Sequence, residues 1–183
     1  MLPRSAASTP ETHALPWRLE RDVLVAGALR VAAQRIGIGH WQPGVRLRSW
    51  GLAPLHREGQ AVCVPCGDTE ALWLGAWFED GEAAARVRLS DPLTGDCASF
   101  GLPPGGQLTG LDDASGKPRP LTLSATTTDG SHRLGVLELL LEVDNAVARL
   151  ELRLMSPGEW AACSARTPPA PRVTPPPLPP RLG

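Results

Sequence analysis

Tyrosine is absent from this chain of 183 residues, and lysine and asparagine occur once each, as Lys117 and Asn145. All three are specified by AT-rich codons, so the shortage marks a GC-rich coding sequence. Selection of arginine for bidentate anion recognition would account for the missing lysine but not for uncharged Asn and Tyr. Neither sign of charge is in excess: Lys+Arg number 18 against Asp+Glu 19, a net charge of -1. That balance excludes an overall field that draws nucleic acid or an anionic membrane. No stretch approaches the roughly 18 consecutive apolar residues of a membrane span. The first residues, rich in Ser, Thr, Pro and Ala, lack the apolar stretch of a secretory signal. The expected location is the cytoplasm, or a particle assembled there, with cysteines kept reduced. The motifs G-x-S-x-G, H-E-x-x-H, G-x-x-x-x-G-K and G-x-G-x-x-G are all missing. The glycines of residues 101–110 lack the lysine and the helix that a phosphate loop needs.

What is present is an ordinary globular composition, 42% hydrophobic and 20% charged, which excludes a wholly disordered chain. Residues 1–16 read as an extended arm. Residues 17–166 read as one β-rich domain, and residues 167–183 as a proline-rich tail suited to polyproline II. Within the domain, residues 17–36 fit two patterns. Their Ala, Leu, Arg and Gln content favours a helix, while Val23, Val25, Val31 and Ile36 suit strands kinked at Gly27; the helix is the preferred reading. Period-two alternation at residues 45–48, 85–89 and 121–125 marks strands with one wet face. Residues 60–64 and 71–78 are apolar throughout, as in strands covered on both faces. Turn signals such as Asp80-Gly81, Asp91-Pro92-Leu93-Thr94-Gly95 and Pro103-Pro104-Gly105-Gly106 separate the runs.

The strongest local expectation is a hairpin. Residues 134–143 and 146–154 flank Asp144-Asn145, a pair that tolerates positive φ in a two-residue turn. That loop sets Val143 against Ala146, Leu141 against Ala148, Leu139 against Leu150 and Leu137 against Leu152, an apolar face throughout. The other face carries Glu138, Glu142, Glu151, Arg149 and Arg153. A slip of one residue would mix the faces, so the register is well specified. The fold class is therefore mainly β, an antiparallel β-sandwich or jelly-roll-like barrel with an N-terminal helix.

Three features carry chemistry. Cys63-Val64-Pro65-Cys66 can ligate zinc, given two further ligands from elsewhere in the fold, or act as a dithiol redox pair; the alternative is two small residues at a strand end. No cofactor is expected, and zinc is the metal this thiol pair would take. Trp73-Leu74-Gly75-Ala76-Trp77 places residues 73, 75 and 77 on one strand face with a gap between two indoles. Exposed, that is a platform for a sugar ring or a partner's apolar group; buried, it is core. Pro176-Pro177-Leu178-Pro179-Pro180-Arg181 fits P-x-x-P-x-R, and Leu178, Arg172 and Arg181 are its candidate anchors. Arg46, Arg48, Arg86, Arg88, Arg149 and Arg153 occupy polar strand phases; interspersed glutamates make a mixed solvated face the expected result rather than an anion site. His132, Asp129 and Ser131 share one turn, but a catalytic triad is defined by geometry rather than by closeness in sequence.

These observations point to a non-enzymatic structural or protein-interaction subunit of a larger assembly, a phage particle or a bacterial multiprotein complex. Its partners would be other protein subunits, copies of the same chain included. A ligand- or carbohydrate-binding module using Trp73 and Trp77 is the alternative, and a small metal or redox protein using Cys63 and Cys66 is a third.

Overall fold

A computed structural model describes residues 13–79, 83–123, 126–127, 130–131 and 135–170. Its elements in chain order are β1 (His13–Ala14), β2 (Trp17–Glu20), β3 (Val23–Ala26), β4 (Leu29–Gly37), β5 (His56–Glu58), β6 (Ala61–Pro65), β7 (Glu70–Phe78) and β8 (Ala85–Ser90). They continue as β9 (Cys97–Leu102), β10 (Gly106–Leu108), β11 (Gly110–Asp112), β12 (Pro118–Pro120), β13 (Thr126–Thr127), β14 (Gly130–Ser131), β15 (Val136–Val143), β16 (Ala146–Met155) and α1 (Pro157–Ser164). The fold is mainly β. A nine-stranded sheet runs β12-β11-β9-β8-β15-β16-β6-β5, with β1 also on β16, and a five-stranded sheet runs β10-β7-β4-β3-β2.

The two sheets share one apolar core, a sandwich-like arrangement. From the five-stranded sheet it takes Leu24, Leu29, Val31, Leu72 and Leu74; from the nine-stranded sheet it takes Val62, Val87, Leu89, Leu139, Leu150 and Leu152. Most pairings are antiparallel, but β16 is flanked in parallel by β6 and β1. The hairpin has the expected register: Val143 faces Ala146, Leu139 faces Leu150, and Val136 faces Arg153. Asp144 takes φ 50 in its turn, the left-handed conformation that Asp accepts at small cost.

Several expectations are corrected. Residues 17–36 form strands, not a helix: β2, β3 and most of β4 occupy them, with Gly27 at φ 58 in the turn between β3 and β4. The described α-helix is α1, near the other end of the chain. Ser156 caps it, and Ser156 and Glu159 form a reciprocal capping box ahead of the wholly buried Trp160. Residues 45–48 are loop rather than strand, and Leu121 makes one isolated bridge to Leu72. Among the described residues strand pairing begins at His13, inside the expected arm.

The chain after α1 is tied to the body. Arg166 donates to the Leu55 carbonyl at 3.1 Å, pairs with Asp22 and lies over the Trp160 ring. Farther along, Arg35 Nη2 donates to the carbonyls of Pro169 at 3.3 Å and Ala170 at 2.9 Å. Arg35 also forms a buried ion pair with Glu70, whose second carboxylate oxygen accepts the Gly67 N–H. Pro169 and Ala170 fall within the proline-rich tail expected over residues 167–183.

Candidate functional site

The outer face of the five-stranded sheet carries the most pronounced site. On β7 the residues Trp73, Gly75 and Trp77 alternate outward, as period two requires. Register sets Gln34 of β4 against Trp73 and Gln107 of β10 against Gly75. Two loops form the rims, one with Gly44, Val45 and Arg46 and the other with Gly105 and Gly106. Together they enclose an open groove of about 720 Å³, within the size range of ligand sites.

The two indoles do different work. Trp73 is only 7% exposed and belongs to a second small core with Ile36, Leu47, Trp50 and Ala71, beneath the 38–55 connection. Its ring leans over Gly75, where an added Cβ would lie 3.0 Å from the ring carbon Cζ3. The gap expected between two indoles is therefore filled by one of them. Trp77 is 40% exposed. Spacing alone left platform and core open as alternatives; the structure divides them, with Trp73 in a core and Trp77 exposed, and the buried Trp73 Nε1 has no hydrogen-bond acceptor.

The groove's shape rests on a contact that sequence spacing does not reveal. Gln107 accepts the Leu47 N–H at 2.9 Å and donates to the Leu47 carbonyl at 3.0 Å, pinning one rim to β10. Trp41 Nε1 donates to the Thr109 carbonyl at 2.7 Å. Gln34 Oε1 accepts the Ser49 hydroxyl, so the amide nitrogen is what Gln34 can offer a ligand. Arg46 is the single charged residue among the described residues lining the groove. The wall thus combines an exposed aromatic face with hydrogen-bond donors, and the described residues lining it include no paired acid and base.

Cys63 and Cys66 do not converge. Cys66 lies in the main core, its thiol donating to the Glu70 carbonyl at 3.5 Å, and burial pushes its pKa up to about 12. Cys63 lies under α1, where Trp160 Nε1 donates to its carbonyl at 3.1 Å. Burial first, then the neighbouring Cys163 and Glu58, raise its pKa to about 11. Neither is the low-pKa thiolate that redox or metal chemistry uses at neutral pH. Among the described residues no group of three or more His, Cys, Asp or Glu is placed to hold a metal ion. The described residues thus supply no further ligands for a zinc site at these thiols.

The arginines of the nine-stranded sheet lie among acids. Arg86 faces Glu142, Arg149 pairs with Glu138 at 3.2 Å, and Arg153 reaches Glu58 and Glu151 at 2.8 Å. Arg119 joins the buried Asp91 and Asp96, tying β12 to the 91–96 turn. Arg172, Leu178 and Arg181 lie outside the described residues, as do Asp129 and His132. Among the described residues no helix is long and apolar enough to cross a membrane. Comparison with protein-family models, with curated proteins and with solved structures finds no match to this chain.

Proposed function

We propose that this protein is a non-enzymatic interaction subunit of a larger assembly, and that the Trp77 groove is where it docks a segment of a protein partner. The observation that carries this reading is a preformed groove with an exposed indole, floored by Gly75 and lined by the hydrogen-bonding side chains of Gln34 and Arg46. Aromatic residues and arginine are also the side chains most enriched where interfaces concentrate their binding energy. Arg46 is the one charged residue among the described residues that line the groove, and none of those residues forms an acid–base pair for turnover.

A saccharide is the second reading, favoured by the same exposed ring in one groove with the amide of Gln34. The deciding experiment compares native masses of the protein purified from the cell that makes it, in wild-type form and as Trp77→Ala. A complex well above the 19.4 kDa chain that is lost in the variant supports docking through the groove. A wild-type protein that runs as a bare monomer, or a complex indifferent to Trp77→Ala, removes the reading.

A further inference from the structure

We infer that Cys63 and Cys163 are a thiol oxidation site, closing to a reversible disulfide that pins α1 to β6 when the protein meets a low-molecular-weight disulfide. The site belongs to the nine-stranded sheet and stands independently of the Trp77 groove. Period two explains how the first thiol reaches it. Val62 and Val64 of β6 point into the shared core, so Cys63 between them points to the opposite face, where α1 packs.

The helix brings the second thiol. Trp160 Nε1 donates to the Cys63 carbonyl at 3.1 Å, which seats α1 over β6. Cys163 follows one turn later on the same helix face, and its thiol donates to the Trp160 carbonyl at 3.2 Å. Its sulfur also lies 3.9 Å from Met155 Sδ. Register places Met155 beside Pro65 and Arg153 beside Cys63, so Met155 and Cys63 share the sheet face that α1 covers. Cys163 stands over both, and the Cys63 thiol donates a hydrogen bond to its sulfur. Both residues are free thiols. Cys66, which the Cys-x-x-Cys spacing suggests as the partner of Cys63, faces the core instead.

Burial assigns the two roles. Cys163 is half-buried, whereas Cys63 is wholly buried and keeps its proton at neutral pH. An oxidant therefore meets Cys163 first, and Cys63 resolves the product. In the first step the Cys163 thiolate attacks one sulfur of the external disulfide, and that disulfide's other half leaves as a thiolate. In the second step the Cys63 thiolate attacks Cys163 Sγ, the mixed disulfide breaks, and the remaining half leaves. The two protein thiols lose two electrons and two protons. The external disulfide gains both and becomes two thiols. In a reducing compartment such a link is transient, a form suited to redox sensing. Closing it joins β6 to the last turn of α1, ahead of Arg166 and its contacts with Leu55 and Asp22.

The test treats the folded full chain with excess oxidised glutathione, alkylates the remaining thiols and maps tryptic peptides by mass. The expected result is a cross-link between the peptides 58–86 and 154–166, placed at Cys63 and Cys163 by fragment masses and reversed by dithiothreitol. The oxidised chain should melt at least ~5 °C above the reduced one, because the link closes a long loop in the unfolded state. Cys163→Ser should abolish both the link and the rise. Cys97→Ser removes the other half-buried thiol and should leave both intact, so the inference is tested even where Cys163→Ser disturbs α1. Glutathione that stays on Cys163 without a link would overturn the inference, since Cys63 would then not reach it. A link from Cys63 to Cys66, or between two chains, would overturn it as well. A Cys63–Cys163 link with no rise in melting temperature would show that α1 is not pinned.

Discussion

Leu139 and Leu150 face each other across the β15–β16 hairpin and are nearly wholly buried. Truncating either to Ala leaves a cavity that this close-packed core cannot refill, so each change should cost about 2–4 kcal/mol in urea unfolding. Arg149→Ala, on the exposed face of the same hairpin, should cost under about 1 kcal/mol, because its pair with Glu138 is solvated. Equal losses at all three positions would mean that the burial is misassigned. Glu70→Gln belongs to a different class. It leaves Arg35 buried without its counter-ion, an expected loss of about 3–5 kcal/mol. The thiols add a pH dependence. Both Cys63 and Cys66 have pKa values raised from 9.0, to about 11 and about 12. The folded state therefore holds their protons where the unfolded state releases them. That contribution is complete below pH 9 and is lost as pH rises from 9 toward 11 to 12. Unfolding free energy measured from pH 8 to 11 should fall, and Cys66→Ala should flatten the fall. A decline of the same slope in the variant would assign it to other groups. Hairpin residues were legible from sequence because each side alternates cleanly between core and water. The Arg35–Glu70 pair was not, since 35 residues separate the partners and neither has a distinguishing local pattern.

Helix α1 and strand β4 show opposite failures of local reading. For β4, composition favoured a helix by tenths of a kcal/mol per residue. Burial of Leu29, Val31, Ala32, Ala33 and Ile36, on alternate faces of one strand, outweighs such a preference. A strand covered on both faces also loses the alternation that would announce it, which is why residues 17–36 could be read either way. For α1 the signal was present. Ser156-Pro157-Gly158-Glu159 carries a capping box with proline at the first turn, but eight helical residues are too few for apolar periodicity to register. Ser156→Ala should cost about 1 kcal/mol by removing the cap. Trp160→Ala, which loses a fully buried ring and its bond to the Cys63 carbonyl, should cost about 3–5 kcal/mol. Thermal melts of the two variants order these effects. A Trp160→Ala loss no larger than that of Ser156→Ala would show that α1 is dispensable to the sandwich. The groove divides along the same line. Trp73, Gly75 and Trp77 shared a face on the evidence of spacing alone. Which indole is exposed depended on the 38–55 connection, whose path is set by Gln107 holding Leu47 across 60 residues.

At the scale of the molecule, the question is where the folded body ends. Proline content alone put that boundary at Arg166, since a stretch without apolar periodicity adds nothing to a core. The structure carries the body four residues farther, because the carbonyls of Pro169 and Ala170 satisfy a guanidinium that is itself buried against Glu70. Carbonyls of this kind stabilise through charge-assisted hydrogen bonds, about 1.5–3 kcal/mol for a bond to a charged group. Two truncations isolate that contribution. A chain ending at Ala170 keeps both acceptors, while a chain ending at Arg166 loses them and leaves Arg35 with Glu70 alone. The shorter chain should melt several degrees below the longer one, at roughly 2–4 °C per kcal/mol for a domain of this size. Any stabilisation from residues 171–183 is missing from both and cancels in the difference. Arg35→Lys should narrow the gap, since an ammonium cannot reproduce the planar fork that holds the Glu70 carboxylate and two backbone carbonyls at once. Equal melting temperatures for the two truncations would return the boundary to Arg166 and make residues 167–170 part of the tail.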